Sequence, residues 1–254
     1  MALRRLRAVA RLIHAVVHGL HGLGLVLLRF PGLTEEERLA RIRDWSQKML
    51  RVLGIALRVE GTAATGGKLL AVNHISWLDI MVVHAVVPEA RFVSKADVKG
   101  WPLISRLVDA GGTIYLERER KRDALRVVHA MAGALAAGQT IAIFPEGTTS
   151  TGHGLLPFHA NLLQAAISTA TPVQPVALRF SDSSDEVSAA MEFVGATTLA
   201  ESLWNSACGD GVVARLAFLP ARESAGVERR ELAARLRADI AGGLGIAVQP
   251  PPEA

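Results

Sequence analysis

A histidine and an aspartate five positions apart, His74 and Asp79, stand in the stretch NHISWLD between the apolar runs KLLAV and IMVVHAVV. A neutral imidazole, with an ordinary pKa of about 6.5, is the side chain suited to taking a proton from an alcohol near neutral pH. An aspartate beside it would hold one ring nitrogen in its N–H form and stabilise the imidazolium that forms. The same stretch admits a second reading, because Ser76 and Asp79 fit the S-x-x-D capping box that opens a helix, which leaves His74 incidental. On a continuous helix the two side chains would diverge by about 140°. Contact between them therefore requires His74 to precede the helix and Asp79 to sit in its first turn.

Two further polar clusters, YLERERKR (115–122) and FPEGTTS (144–150), also follow apolar runs. Stepping along the chain, β-type runs fall at 55–61, 68–74, 91–95, 113–118, 140–144, 173–180 and 212–219. Helical periodicity falls at about 34–54, 76–87, 121–137, 157–170 and 227–241, with a shorter helix in LISRLVDAGG. The first of these opens on a capping box, Thr34 to Glu37. Strands alternating with helices predict an α/β fold, a central, mostly parallel mixed sheet flanked by helices. All three polar clusters then lie where strands end, the usual place for function in such sheets.

The N-terminus, MALRRLRAVARLIHAVVHGLHGLGLVLLRF, is strongly biased. Arg4, Arg7, Arg11, His14, His18 and His21 recur at steps of three and four, one polar stripe on an otherwise apolar helix. This pattern predicts an amphipathic membrane anchor, with arginines at anionic headgroups and leucines in the acyl region. A buried core helix, a histidine metal site and a cleavable signal are the competing readings; the last lacks an A-x-A-like site. The expected division is a helical membrane-associating region, 1–54, and an α/β domain, 55–254.

The chain has 254 residues, half of them hydrophobic, enough for one sizeable core. Its 28 Lys and Arg against 24 Asp and Glu suit an anionic partner such as a membrane surface, an acidic carrier protein or a phosphate-bearing substrate. Aromatic residues make up 5% and no nucleic-acid motif is present, so nucleic acid is not expected as a partner. The single cysteine, Cys208, excludes an internal disulfide and a Cys-rich metal site, points to a reducing compartment and lies outside every polar cluster.

Four ordered segments carry a family resemblance: N-H-x4-D at Asn73, His74 and Asp79; G-x-I-Y-L-x-R from Gly112 to Arg118; F-P-E-G-T from Phe144 to Thr148, including Pro145; and P-V-x-P-V with Pro172 and Pro175. Together with Lys95 in KADVKGWPLI, they resemble the motifs of the glycerolipid acyltransferases, as found in bacterial 1-acylglycerol-3-phosphate acyltransferases, over about residues 57–180. The resemblance implies transfer of a fatty acyl group from an acyl-CoA or acyl carrier protein thioester to the free sn-2 hydroxyl of 1-acylglycerol-3-phosphate, giving phosphatidic acid. It implies no metal and no cofactor beyond that donor. It also implies a place on the cytoplasmic face of a bacterial inner membrane, among membrane lipids and the lysolipid acceptor. His74 is then the general base oriented by Asp79, and Arg118, Lys95, Glu146, Gly147 and Thr148 are the acceptor or phosphate contacts. Pro172 and Pro175 shape a loop-to-strand entry.

The residues support this chemistry on their own terms. A thioester releases a thiolate whose conjugate acid has a pKa of only about 8.5, so direct attack by an alcohol needs no enzyme nucleophile. Loop amides around Gly147 are candidate donors to the tetrahedral oxyanion. Glu146 can orient acceptor hydroxyls or anchor its loop. Two departures from the family pattern bear on the acceptor: Thr149 stands where FPEGTRS has arginine, and Phe158-His159-Ala160 replaces a following basic-Gly pair. Fewer cations disfavour a phosphomonoester dianion in a partly dry site. Lyso-ornithine lipid is therefore the alternative acceptor, and a membrane-bound lipid-binding protein without turnover is the alternative class.

Overall fold

A computed structural model describes residues 2–100, 102–116 and 121–247. Helices α1 (Ala2–Leu28) and α2 (Glu35–Leu53) precede strands β1 (Ala56–Glu60) and β2 (Lys68–Val72). Then come α3 (Leu78–His84), β3 (Arg91–Lys95), α4 (Pro102–Ala110), β4 (Ile114–Leu116), α5 (Lys121–Ala136) and β5 (Thr140–Ile143). The rest is α6 (Gln164–Ser168), β6 (Val173–Ser181), α7 (Leu199–Cys208), β7 (Val213–Phe218) and α8 (Arg229–Leu244). The strands form one sheet in the order β1-β7-β6-β2-β5-β3-β4. All its pairs are parallel except β6 with β7.

Strand alternation sorts the core onto two faces. Leu70 and Val72 of β2 and Ala142 of β5 pack with Met49, Leu50 and Leu53 of α2, Leu78, Val82 and Val83 of α3 and Ala207 of α7. Leu69 and Ala71, with Ile141 and Ile143, face Val127 and Met131 of α5, Ala165 and Ala166 of α6 and Leu232 and Leu236 of α8. The N-terminal helices thus share the first of these cores with the sheet, since Ala8 and Ala15 of α1 belong to it too.

The predicted capping box is present: Thr34 Oγ1 accepts from the Glu37 N–H at 3.3 Å and Glu37 Oε2 accepts from the Thr34 N–H at 2.8 Å. Gly54, left-handed at φ 77°, ends α2. The helix expected over 157–170 is shorter. The His159 N–H is bonded to Pro145 O at 2.7 Å, which ties the chain to the preceding loop, and regular helix begins only after the 3-10 turn Ala160–Leu163.

Part of the α1 stripe turns toward protein, contrary to expectation, while Arg4, His14 and His21 stay exposed. Arg7 pairs with Asp210 at 2.9 Å, and Arg11 donates to Ala207 O and Gly209 O at 3.1 and 2.6 Å. His18 Nε2–H donates to Trp45 O while Trp45 Nε1–H donates to His18 O, at 2.9 and 3.0 Å. Leu6, Val9, Ile13, Val17 and Leu20 face outward, Ile13 and Val17 each 57% exposed. Arg11 satisfies carbonyls at the C-terminal end of α7, which otherwise lack helical partners. Arg11 is thus committed to protein and not to headgroups as expected, whereas Arg4 and Arg7 pair with the Asp210 carboxylate and stay exposed.

Candidate active site

After β2 the chain leads through α3 onto the first face, while after β5 it leads through α6 onto the second. Loops that leave neighbouring parallel strands for opposite faces open a crevice at the carboxyl edge of the sheet. NHISWLD and FPEGTTS meet in that crevice. Their side-by-side placement follows from register, since Ala71 of β2 lies opposite Ile143 of β5.

β2 ends at Val72, and Asn73 extends its pairing with a side chain. Asn73 Nδ2 donates to Leu178 O at 2.8 Å and Asn73 Oδ1 accepts from the Leu178 N–H at 2.7 Å. His74 then leaves the ladder, and its main chain is taken up by the β5 loop. Its N–H donates to Glu146 Oε1 at 2.7 Å, and its carbonyl accepts from the Ser150 N–H at 2.8 Å. The second Glu146 oxygen accepts from the Leu156 N–H at 2.9 Å. Burial holds the Glu146 proton to a higher pH than an ordinary carboxylate, against the lowering effect of these two amides.

His74 Nδ1 lies 2.7 Å from Asp79 Oδ2. A carboxylate accepts, so Nδ1 carries the hydrogen and Nε2 is left with a lone pair, the form a general base needs. The imidazole stacks on Phe144, with centroids 3.9 Å apart and planes 9° from parallel. Phe144 stacks in turn on Phe92 at 5.5 Å. The His74 ring is therefore fixed in plane and in tautomer, with its side chain 19% exposed beside a fully buried Asp79.

Asp79 lies in the first turn of α3, as contact required, but Ser76 does not cap that helix with its hydroxyl. Asp79 Oδ2 accepts from the Ile75 and Ser76 N–H groups at 2.7 and 3.0 Å as well as from His74. The Ser76 hydroxyl is buried without a partner among the described residues, as is Asp79 Oδ1. Half of the capping box is thus realised. One carboxylate oxygen closes the NHIS loop over itself, and this brings His74 and Asp79 into contact.

The other expected contacts divide. Glu146 spends both oxygens on backbone donors and acts as a loop anchor, the second of its two anticipated roles. Gly147, at φ 71°, donates its N–H to Phe144 O at 3.0 Å, so this amide closes a turn and its hydrogen is spent there, not on an oxyanion. Thr148 is exposed beside it. The Thr149 hydroxyl donates to Phe193 O. Lys95 ends β3 at this same carboxyl edge, opposite Leu116, but its side chain lies outside what is described, as does Arg118 entirely. A described cation nearby, Lys99, sits 4.5 Å over the Tyr115 ring.

Gly112 makes the turn into β4 at φ 68°, its carbonyl accepting from Arg91 Nε at 2.8 Å. Pro172 lies at the far edge of the sheet, where its carbonyl accepts from the Leu69 N–H at the start of β2. Pro175 sits where its missing N–H matters least, because the β6–β7 ladder begins only at Val176 and the Gln174 side chain bonds Leu219 O at 3.0 Å in its place. Both prolines shape the entry to β6, three and more residues short of the His74 edge.

An open groove of about 350 Å³ is lined by Thr149, Ser150, Thr151, Leu155, Leu156 and Val194. The residues that sequence reasoning passed over are those acting through backbone or ring faces: Phe144, Phe92, Ser150 and Leu156. Only Phe144 carried a signal, its place at the head of FPEGT.

Comparison with known proteins places the chain in a family. Residues 55–179 match the family model described as Acyltransferase. A 1-acyl-sn-glycerol-3-phosphate acyltransferase of Neisseria meningitidis serogroup B is 32% identical over 232 residues, 89% of this chain and 90% of that one. A lyso-ornithine lipid O-acyltransferase of Pseudomonas aeruginosa is 34% identical over 235 residues, covering 91% and 90%. The crystal structure of the 1-acyl-sn-glycerophosphate acyltransferase of Thermotoga maritima shares the fold, with a TM-score of 0.74 over 95% of this chain and 96% of that one at 20% identity. A chain that aligns with such enzymes over nine-tenths of its length belongs to the glycerolipid acyltransferase family.

Proposed function

We propose that the protein acylates a lysolipid hydroxyl, with 1-acylglycerol-3-phosphate as acceptor and an acyl-CoA or acyl carrier protein thioester as donor, giving phosphatidic acid. The observation that carries this reading is the His74 ring, its Nδ1 hydrogen committed to Asp79 and its Nε2 lone pair left over. In the reaction Nε2 takes the hydroxyl proton as the oxygen attacks the thioester carbonyl, and Asp79 stabilises the imidazolium. Collapse of the tetrahedral intermediate breaks the C–S bond, and the thiolate leaves with the proton that His74 returns. Arg118 and Lys95 supply the phosphate contacts in this reading. The groove at Ser150, lined by both hydroxyl and apolar side chains, suits a molecule with a polar head and an acyl chain.

Thr149 favours a second acceptor, lyso-ornithine lipid. Its hydroxyl is tied to Phe193 O at a position where the family pattern has a cation, and a headgroup without a phosphomonoester needs no cation there. Purified protein supplied with labelled acyl donor and a panel of lysolipids identifies the acceptor by its product. His74→Ala should lower turnover by about 10²- to 10⁴-fold with the fold intact. Undiminished turnover would sink the assignment.

The outward apolar face of α1 supports attachment to a bilayer surface, which we place at the cytoplasmic face of the inner membrane. Arg4–Leu28 is long and apolar enough to cross a bilayer. Its inward bonds to α2 and α7 favour a helix lying in the interface. Burying an Ile or Leu side chain is worth about 1.5–3 kcal/mol, so Ile13→Asp with Leu20→Asp should weaken partitioning onto vesicles by about tenfold or more. Unchanged partitioning would assign attachment to another surface.

A further inference from the structure

We propose that Arg11 and Ser202 are positioning residues for the transfer, and that α7 carries the seating of the lipid-facing helix to the loop holding His74 and Asp79. This rests on the reading of His74 as the base.

The two ends of α7 are tied to the two things that must be brought into register. At the C-terminal end Arg11 of α1 donates to Ala207 O and Gly209 O, and Arg4 and Arg7 reach Asp210 at 3.7 and 2.9 Å. Towards the N-terminal end the fully buried Ser202 Oγ accepts from Trp77 Nε1 at 3.2 Å. Trp77 directly follows Ser76, whose amide is held by Asp79, and it directly precedes α3. Ala207 is five steps of regular helix beyond Ser202, about 7.5 Å of rise. The capping box of Thr198 and Glu201 stiffens the end nearest Trp77.

A parallel connection runs through the 3-10 turn Ala189–Met191, which packs on α7. Two residues later the Phe193 N–H donates to Ile75 O at 3.2 Å, and the Phe193 carbonyl accepts from Thr149. Both loops of the crevice therefore hang from the side of the molecule that α7 and α1 share. Anchoring alone does not call for this. A basic stripe serving only attachment gains more by facing anionic headgroups, at about 1 kcal/mol per cation. Spending Arg11 on carbonyls of α7 instead fixes the angle at which the domain is carried. Neither Arg11 nor Ser202 reaches the reacting atoms, so their effect is on how the loop is held when α1 is seated in lipid.

The test compares turnover of one lysolipid headgroup presented in anionic vesicles and on a short, monomeric chain, for the full-length protein and for Arg11→Gln, Ser202→Ala and their double variant. Wild type should favour the vesicle-borne acceptor; each single variant should lower that preference by about fivefold or more, with turnover of the monomeric acceptor within about twofold and vesicle co-sedimentation unchanged. The double variant should be no worse than the poorer single one, because both break the same connection. A preference unchanged in the variants, an equal loss on both acceptors, additive losses, or no preference in wild type would each overturn the proposal. Thermal melting of each variant separates these results from unfolding. His74→Ala in the same assay keeps the two inferences apart. If it stays active, the reading of the base fails; if it is inactive while the other variants match wild type, only the role of α7 fails.

Discussion

His18 and His74 are each the centre of a polar constellation that drew attention in the sequence, and the structure uses them in opposite ways. His18 gives its Nε2 hydrogen to a main-chain carbonyl, is stacked on Trp45 and is buried. Burial pushes its pKa below the ordinary value and keeps it neutral. His74 gives its Nδ1 hydrogen to a carboxylate and remains partly exposed. A carbonyl partner fixes a ring, whereas a carboxylate partner also stabilises the charge the ring acquires as a base. Between a brace and a base, the distinction lies in what the second atom can do when a proton arrives.

The sharpest way to test that contrast is Asp79→Asn. All three donors converge on Oδ2 alone. An asparagine can therefore present its carbonyl there and keep the His74 tautomer, losing only the charge. The expected loss in kcat is about 10²- to 10³-fold with KM unchanged, towards the lower part of the range for general-base catalysis. A fall of about 10⁴-fold, as seen when the tautomer flips in a serine protease triad, would show that orientation dominates. A smaller effect follows for the brace. His18→Ala should cost about 1–3 kcal/mol in a urea titration and leave turnover of a monomeric acceptor unaltered. A comparable loss of turnover there would erase the contrast.

The mildest effect is a pH dependence at Glu146. Burial raises its pKa above 4.5, so folding takes up a proton; the stability it contributes is fully present below the ordinary pKa and is lost as pH rises through the raised one. The stability gap between wild type and Glu146→Gln, about 1–3 kcal/mol at low pH for one backbone donor left unpaired, should narrow as pH rises. A gap that widens would mean the two amide bonds outweigh burial.

The strands were legible because apolar runs and β-branched residues mark them directly, and α2 because Thr34 and Glu37 are chemically suited to cap it. α7 escaped notice although Thr198-Leu199-Ala200-Glu201 is a capping box of the same kind as Thr34–Glu37. The antiparallel turn of β7 left no trace, since both faces of that strand are chosen by packing rather than by direction. On α1 the spacing gave the stripe but not which side faces protein. Periodicity defines a face, and only the carbonyls of α7 decide where it points. Within the site, the contact of His74 with Asp79 was readable because both partners are distinctive side chains. The roles of Ser150, Leu156 and Phe193 were not, because they contribute amides and carbonyls that every residue has.

Asn73 ends β2 one rung early by lending its side chain to Leu178, and His74, so released, hands its own N–H and C=O to a segment that begins 72 positions later. The base therefore does not exist as a local piece of chain. A nascent polypeptide that has made β2 and α3 but not yet docked the β5 loop holds a histidine whose main chain is loose. On the proposed reading of His74, acyl transfer then starts only when the sheet has closed around its centre, which makes activity a report of completed folding.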